Sequence, residues 1–152
     1  MKPVSSVEEV LVYQNQNLYK RYRKDYPQNH LSAEHALREL IKYLWLGQKH
    51  DEDKQNRPED ESLNFMCAMH PEMKEMDDMW HTFLLFTLDY SAFCTNYFGV
   101  FIHHVPTSDE AHLPEDYETD LTRYLSYAYD HLGEETLSLW FKEHCEAPSA
   151  DS

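Results

Sequence analysis

The sequence predicts an all-α protein: a single compact bundle of about six or seven helices. The chain has 152 residues, of which 41% are hydrophobic and only 3 are glycine. A chain of this length buries a sizeable core, and so few glycines disfavour sandwiches and barrels, which need many tight turns. Apolar residues recur at helical spacing along most of the chain. We expect one helical domain over residues 1–146 and a frayed tail over residues 147–152.

The first third of the chain predicts two helices and a loop. Ser6 and the glutamate three residues later form a capping box, which begins a first helix that Pro27 ends. Ser32 caps a second helix, and Gly47 marks its end. Residues 50–61 are charged or polar throughout, and we expect them to form a loop within the domain.

A central helix is predicted to follow a short helical turn over residues 62–69. Pro71 suits the first turn of this helix. Residues 83–88 are apolar on nearly every side, which predicts the most buried helix of the bundle. Asp89 or Ser91 is expected to cap the next helix.

The remaining third predicts two more helices. The helix that Asp89 or Ser91 caps ends at Gly99, and residues 100–105 are expected to be extended. Pro114 opens the next helix and Gly133 ends it. A last helix is expected over residues 134–145.

The net charge of the chain limits the kinds of partner that we expect. It has 28 acidic and 13 basic residues, which gives a formal net charge of −15. Because such a field repels phosphate backbones and anionic lipids, we expect neither nucleic acid nor membrane as a partner. It favours a protein partner with a basic surface. The one basic cluster, residues 20–24, is predicted to lie on a solvated helix face.

Cysteine usage predicts a cytoplasmic location. Cys67, Cys94 and Cys145 are odd in number and far apart, so they form no disulfide framework, and free thiols in a reducing cytosol explain them. The start of the chain lacks the apolar core of a signal peptide. The longest apolar run is far below the roughly 20 residues that span a bilayer.

The candidate chemistry is a set of histidines with one carboxylate. Asp77 and His81 are four residues apart and share a helix face. His103 and His104 follow the next helix, which can fold back toward His81, and imidazole with carboxylate suits zinc or iron. Adjacent residues of an extended segment point opposite ways, so at most one of the pair should face His81. The alternative is that His81 is a core histidine bonded to Asp77.

Other reactive groups give weaker signals. Cys94 is either a thiolate ligand or, as we favour, a small buried hydrophobe. No serine lies in a nucleophile elbow and no glycine-rich phosphate loop is present, so an enzyme is disfavoured. Five methionines between residues 66 and 79 belong either to the core or to an adaptable groove. They are Met66, Met69, Met73, Met76 and Met79.

The central stretch resembles the core motif of the glycine-rich-domain-containing-protein-like family. The matching residues are Asp77, Trp80, His81, Tyr90, Cys94, Phe98, Gly99, Phe101, His103, His104 and Pro106. The resemblance implies a compact helical domain in which Trp80 and the histidines meet. Phe83 replaces a second histidine of that motif, which removes a plausible ligand if the family site binds metal, and the glycine-rich tail is missing.

Two functions follow from these observations. The first is a non-enzymatic, acidic interaction module that binds, or inhibits, a protein partner with a basic surface and needs no cofactor. The alternative is a metal-binding domain or metal-dependent enzyme that uses Asp77, His81 and His103 or His104 to hold a divalent metal such as zinc or iron. A third reading makes the motif a purely structural hub.

Overall fold

The computed structural model describes residues 4–104 and 117–142. In these ranges the chain forms helices and no strand, which confirms the predicted all-α fold. None of the described helices is both long enough and apolar enough to cross a membrane. The α-helices are α1 (Val7–Val10), α2 (Gln16–Asp25), α3 (Ala33–Asn56), α4 (Lys74–Leu85), α5 (Thr87–Phe98), α6 (Tyr117–Leu132) and α7 (Glu134–Trp140). Two short 3₁₀ segments cover Glu61–Leu63 and Pro71–Met73.

Helix α3 is the centre of the bundle, and α1, α2, α4 and α6 pack against it. Its stripe of Ala36, Leu37, Leu40, Ile41 and Leu44 is buried. Each fully buried leucine or isoleucine contributes roughly 1.5–3 kcal/mol. This stripe therefore holds the surrounding helices on one core.

The prediction that residues 83–88 form the most buried helix is wrong. The helix is interrupted at Phe86, which ends α4 and precedes Thr87, the first residue of α5. Leu85 and Leu88 lie on the outside of this elbow and are 58% and 85% exposed. The apolar run is therefore divided between two helices, and neither Asp89 nor Ser91 caps α5.

The predicted loop over residues 50–61 is wrong for its first half, because α3 continues through Gly47 to Asn56. Lys49 forms ion pairs at helical spacing with Glu52 and Asp53, at 3.2 and 3.0 Å. His50 and Asp53 are buried and extend the inward face of α3. Tertiary partners thus stabilise a segment whose composition is typical of a loop.

The start of the chain contains two helices where one was predicted. Ser6 caps α1 by accepting a hydrogen bond from the amide of Glu9, as expected. Asn15 then caps α2 by accepting from the amide of Leu18. Its side-chain amide also donates to the carboxylate of Asp89 at 2.9 Å. The second cap restarts the helix after a turn and sets α2 against the bundle.

The glycine stops at the later helix ends are confirmed. Gly99 ends α5 with φ 71°, and Gly133 lies between α6 and α7 with φ 90°. Only glycine adopts such angles without strain. Pro114 and residues 143–152 lie outside the described residues, so the predicted start of α6 and the tail are not described. Helix α7 ends at Trp140 with Phe141 as its C-cap, so the prediction that the last helix runs without interruption to residue 145 is wrong.

A non-helical segment over residues 64–70 crosses the face of the bundle. The prediction of a helical turn over residues 62–69 is wrong for most of that range, because the helical turn that precedes this segment covers only Glu61–Leu63. The hydroxyl of Tyr43 donates to the carbonyl of Cys67 at 2.9 Å, and that of Tyr124 donates to Ala68 at 2.8 Å. Helices α3 and α6 therefore hold this segment by its backbone, where it forms one wall of a groove.

Candidate metal centre and its groove

Three predicted side chains converge beside α4. Asp77 and His81 are one turn apart, with 3.7 Å between Asp77 Oδ2 and His81 Nε2. His104, from the segment after α5, donates from Nε2 to Asp77 Oδ1 at 2.7 Å. One ligand atom from each residue lies within 4.8 Å of the others. We call this set the triad.

Two aromatic side chains place His104 in the triad. The hydroxyl of Tyr90 accepts from the indole N–H of Trp80 at 2.9 Å and donates to the carbonyl of Ile102. This bridge fixes the segment after α5 against α4. The indole of Trp80 then packs on the His104 ring, with 4.3 Å between ring centroids.

His103 is not part of the triad, although it lines the same groove. Its side chain is exposed, and its ring packs edge-on against Phe101 at 4.7 Å between centroids. The expectation that at most one of the adjacent histidines faces His81 is therefore confirmed, and that residue is His104.

His81 is an exposed residue, so its interpretation as a core histidine is wrong. Its side chain is 49% exposed, while the neighbouring Trp80 is buried. The rings of His81 and His104 stack, with centroids 4.6 Å apart and planes inclined by 29°. The triad is thus open to solvent on the His81 side and closed by Trp80 behind His104.

The triad fits a metal ion after its side chains adjust. In a tetrahedral zinc site with bonds of about 2.0–2.2 Å, neighbouring donor atoms lie about 3.3–3.5 Å apart. His104 Nε2 and Asp77 Oδ1, now 2.7 Å apart, must separate, whereas the widest spacing among the three ligand atoms, which is within 4.8 Å, must shorten. Two imidazoles and a carboxylate are a donor set used by zinc and by non-haem iron in sites with open positions.

A groove of about 920 Å³ lies beside the triad and includes it in its lining. It runs between α3, the wall of residues 66–71, α4 and residues 102–104. Its apolar lining includes Tyr43, Met69, Trp80 and Ile102. A ligand in this groove therefore has direct access to the triad.

The cysteines do not contribute to the triad. Cys94 is fully buried in α5, as predicted for a small hydrophobe, and Cys67 is partly buried. Burial raises the pKa of both thiols. Since the thiolate is the nucleophile, neither cysteine is activated for attack. Cys145 lies outside the described residues.

The methionines divide between the two predicted roles. Met73, Met76 and Met79 are buried in the core. Met66 is 64% exposed, and both it and Met69 line the groove. Core packing therefore explains three of the five, and the groove accounts for the other two.

Sequence reasoning missed two parts of this region. Tyr43 and Ile102 in the groove wall come from segments distant in sequence, and no local pattern indicates them. A second cluster, around His50 and Asp53, was missed because its residues were assigned to a loop. Their spacing from Leu46 continues the inward stripe of α3, and this signal was available in the sequence.

The fold and the triad define a class of protein: an all-α domain with a groove and a candidate metal centre at its edge. No curated protein and no solved structure matches the chain. A family model described as UCP032817-like matches residues 13–131, and the chain belongs to the UCP032817-like family. The match includes the triad and the groove, and its description names no activity. It does not test the resemblance to the glycine-rich-domain-containing-protein-like family.

Proposed function

We propose that this protein binds a divalent transition-metal ion, zinc or iron, through Asp77, His81 and His104. The observation that carries the proposal is the convergence of one ligand atom from each residue within 4.8 Å. Two come from one face of α4, and the third comes from a segment fixed by Tyr90. Helix geometry and tertiary packing together thus preorganise the donors.

The donor set and its surroundings favour a centre that keeps an open position. Three protein ligands leave at least one coordination position for water or another ligand. The triad lines the groove, so that position is accessible to a small molecule. When bound, such an ion acts as a Lewis acid and lowers the pKa of a bound water. The side chains of the triad hold the ion, and we assign no catalytic residue.

Metal binding is tested with tag-free protein that has been stripped with a chelator. Isothermal titration with Zn²⁺, and with Fe²⁺ under nitrogen, is expected to give one ion per chain. His104→Ala should weaken binding by about 100-fold or more, because it removes one of three ligands. His103→Ala is the matched control, since it removes the adjacent imidazole, which lies outside the triad although it lines the same groove. A stoichiometry well below one, or equal affinities for the two variants, would contradict the proposal.

A second candidate is an interaction module for a protein with a basic surface. The net charge of −15 and the exposed Met66 and Phe101 beside the groove support it. Acidic charges accelerate encounter with a basic partner, and apolar side chains provide buried contact. Pull-downs at low and high salt test this candidate, which fails if low salt recovers no partner that high salt removes. The cytoplasmic location also stays a prediction.

A further inference from the structure

We infer that the groove binds a small molecule with an uncharged, mainly apolar body and a single oxygen donor group that coordinates the metal. This inference rests on the proposed metal site and adds the chemical class of its ligand. The size of the groove, the character of its walls and the charges along it support this ligand class.

The size of the groove suits one small molecule. Its volume of about 920 Å³ lies within the range of roughly 300–1,000 Å³ that is typical of small-molecule sites. It is lined by helix α3 on one side and by residues 66–71, which Tyr43 and Tyr124 hold by hydrogen bonds, on another. The walls are therefore formed by anchored backbone.

The walls favour an apolar, flat body. The rings of Tyr43 and Trp80 meet edge to face, with 5.7 Å between centroids and planes inclined by 60°. Such a corner offers both a ring face and a ring edge to an aromatic ligand. Met69 and Ile102 add aliphatic surface, and a methionine thioether adapts to varied shapes.

The charges along the groove disfavour a second ionic group on the ligand. Among the described lining residues, Lys74 is the only lysine or arginine, and its ammonium group binds Asp78 Oδ2 at 2.7 Å. A phosphate or second carboxylate would therefore compete with Asp78 for this ammonium group, and the other basic side chains of the lining outside the triad are the imidazoles of His70 and His103. A cationic ligand would be repelled by the metal, because the one carboxylate of the lining, Asp77, is a proposed ligand. Nucleotides and sugar phosphates do not fit these conditions.

The test uses Co²⁺-loaded full-length protein, whose visible spectrum reports ligands that reach the metal. Benzohydroxamate and acetohydroxamate carry the same donor group on a phenyl and a methyl body. We expect benzohydroxamate to bind at least about tenfold tighter, after correction for their affinities for free Co²⁺. 4-Carboxybenzohydroxamate, with its second anion, should bind more weakly than benzohydroxamate.

Two variants locate the body of the ligand. Met69→Lys introduces a charge into the groove and should weaken benzohydroxamate binding to the Co²⁺-loaded protein about tenfold, once the Co²⁺ affinity of this variant, which the added charge also lowers, has been measured separately. Leu88→Lys places the same charge on the exposed elbow outside the groove and should change neither. If Met69→Lys does not fold, the comparison of the two hydroxamates on the unaltered protein decides the matter.

The outcomes separate this inference from the proposed function. If Co²⁺ binds but the two hydroxamates bind equally, the ligand class is wrong and the metal site stands. If 4-carboxybenzohydroxamate binds tightest, the groove accepts a second anion and the proposed ligand class is wrong. If Co²⁺ does not bind, the metal site fails and the inference fails with it.

Discussion

Two histidine–aspartate clusters in this molecule use the same residue types in opposite settings. The first, which we call the buried cluster, consists of His50, Asp53, Tyr127 and His131, between α3 and α6. The second is the triad of Asp77, His81 and His104. Asp53 is only 6% exposed, whereas the imidazole of His81 is about half exposed and lines a groove.

The buried cluster is saturated by protein partners. Asp53 Oδ2 accepts from the Tyr127 hydroxyl at 2.7 Å, and Asp53 Oδ1 pairs with Lys49 at 3.0 Å. His50 donates from Nε2 to the carbonyl of Leu63 at 2.8 Å, and its ring stacks on Phe65 at 4.1 Å. These contacts leave little room around the carboxylate for an ion, so the cluster stabilises the fold.

The triad has fewer partners and an open side. Among the described residues, it is the one group of three ligand atoms close enough to hold a metal ion. Histidine and aspartate side chains alone therefore do not indicate a metal site. A site is indicated where their partners leave an accessible position.

The largest expected effect is on the stability of the protein, which Asp53 and Asp77 should influence to different extents. Asp53→Ala removes the partner of a buried phenol and of Lys49, so the free energy of unfolding should fall by about 2–4 kcal/mol. Asp77→Ala, in the half-open triad, should cost less than about 1 kcal/mol. Urea unfolding of both variants measures this difference, and equal losses would remove the distinction between the clusters.

The next prediction distinguishes the triad from the buried cluster by the effect of zinc on thermal stability. Zinc at about 100 times its dissociation constant stabilises a folded protein by about 2.7 kcal/mol, which corresponds to a rise in Tm of roughly 5–10 °C here. Asp77→Ala should lose this rise, and Asp53→Ala should keep it despite a lower starting Tm. Thermal unfolding with and without zinc checks both. A rise that disappears in Asp53→Ala alone would assign the metal to the buried cluster.

A smaller effect concerns the phenol of the buried cluster. Tyr127→Phe removes the hydroxyl that donates to Asp53, and unfolding should become easier by about 1.5 kcal/mol, the value of a hydrogen bond to a charged group. Tyr129→Phe is the control, because Tyr129 is exposed on the same helix and should change stability by less than about 0.5 kcal/mol. Similar losses from the two variants would argue against a specific role for this bond.

The smallest predicted effect is a change in how the stability of the protein depends on pH. Burial lowers the pKa of His50 and of His131 in the folded protein. The unfolded chain therefore binds more protons as the pH falls through the usual histidine value near 6.5, so stability present at pH 7.5 is lost toward pH 5.5. His50→Gln keeps an N–H donor for Leu63 and cannot titrate. Its Tm should fall less between these pH values than that of the unaltered protein.

Asp53 does not contribute to the loss of stability between pH 7.5 and 5.5. Burial opposes ionisation of this carboxyl, but hydrogen bonds from Tyr127 and Lys49 outweigh it and lower its pKa. Its contribution is therefore lost only below the usual aspartate range near pH 4. If His50→Gln loses as much stability as the unaltered protein between pH 7.5 and 5.5, His50 is not the titrating group.

Local signals predicted much of the fold. Ser6 and Ser32 cap helices, and Gly99 ends one, because these features depend on neighbouring residues only. The segment around His50 was assigned to a loop because it is charged and contains no apolar residue, and the residues that bury it are distant in sequence. Asp53, for example, meets Tyr127, which is 74 positions away.

In the candidate site too, features set by neighbouring residues were predictable and those set by distant residues were not. The pairing of Asp77 and His81 follows from helical spacing and was predictable. The exposure of His81 was not predicted, although helix geometry implies it: consecutive helix residues differ by about 100° in direction, so a buried Trp80 leaves its neighbour on another face. The approach of His104 depends on the break at Phe86 and on the Tyr90 bridge, which no local pattern specifies.

The pairing of His104 with Asp77 joins two positions 27 residues apart in the chain. An ion held by both would act as a removable cross-link and close that loop in any partly unfolded state that keeps it. Loop closure reduces the conformational entropy of such states, as a disulfide does. Chelation would then cut this cross-link without altering the covalent chain, so the lifetime of the folded state would depend on the metal supply.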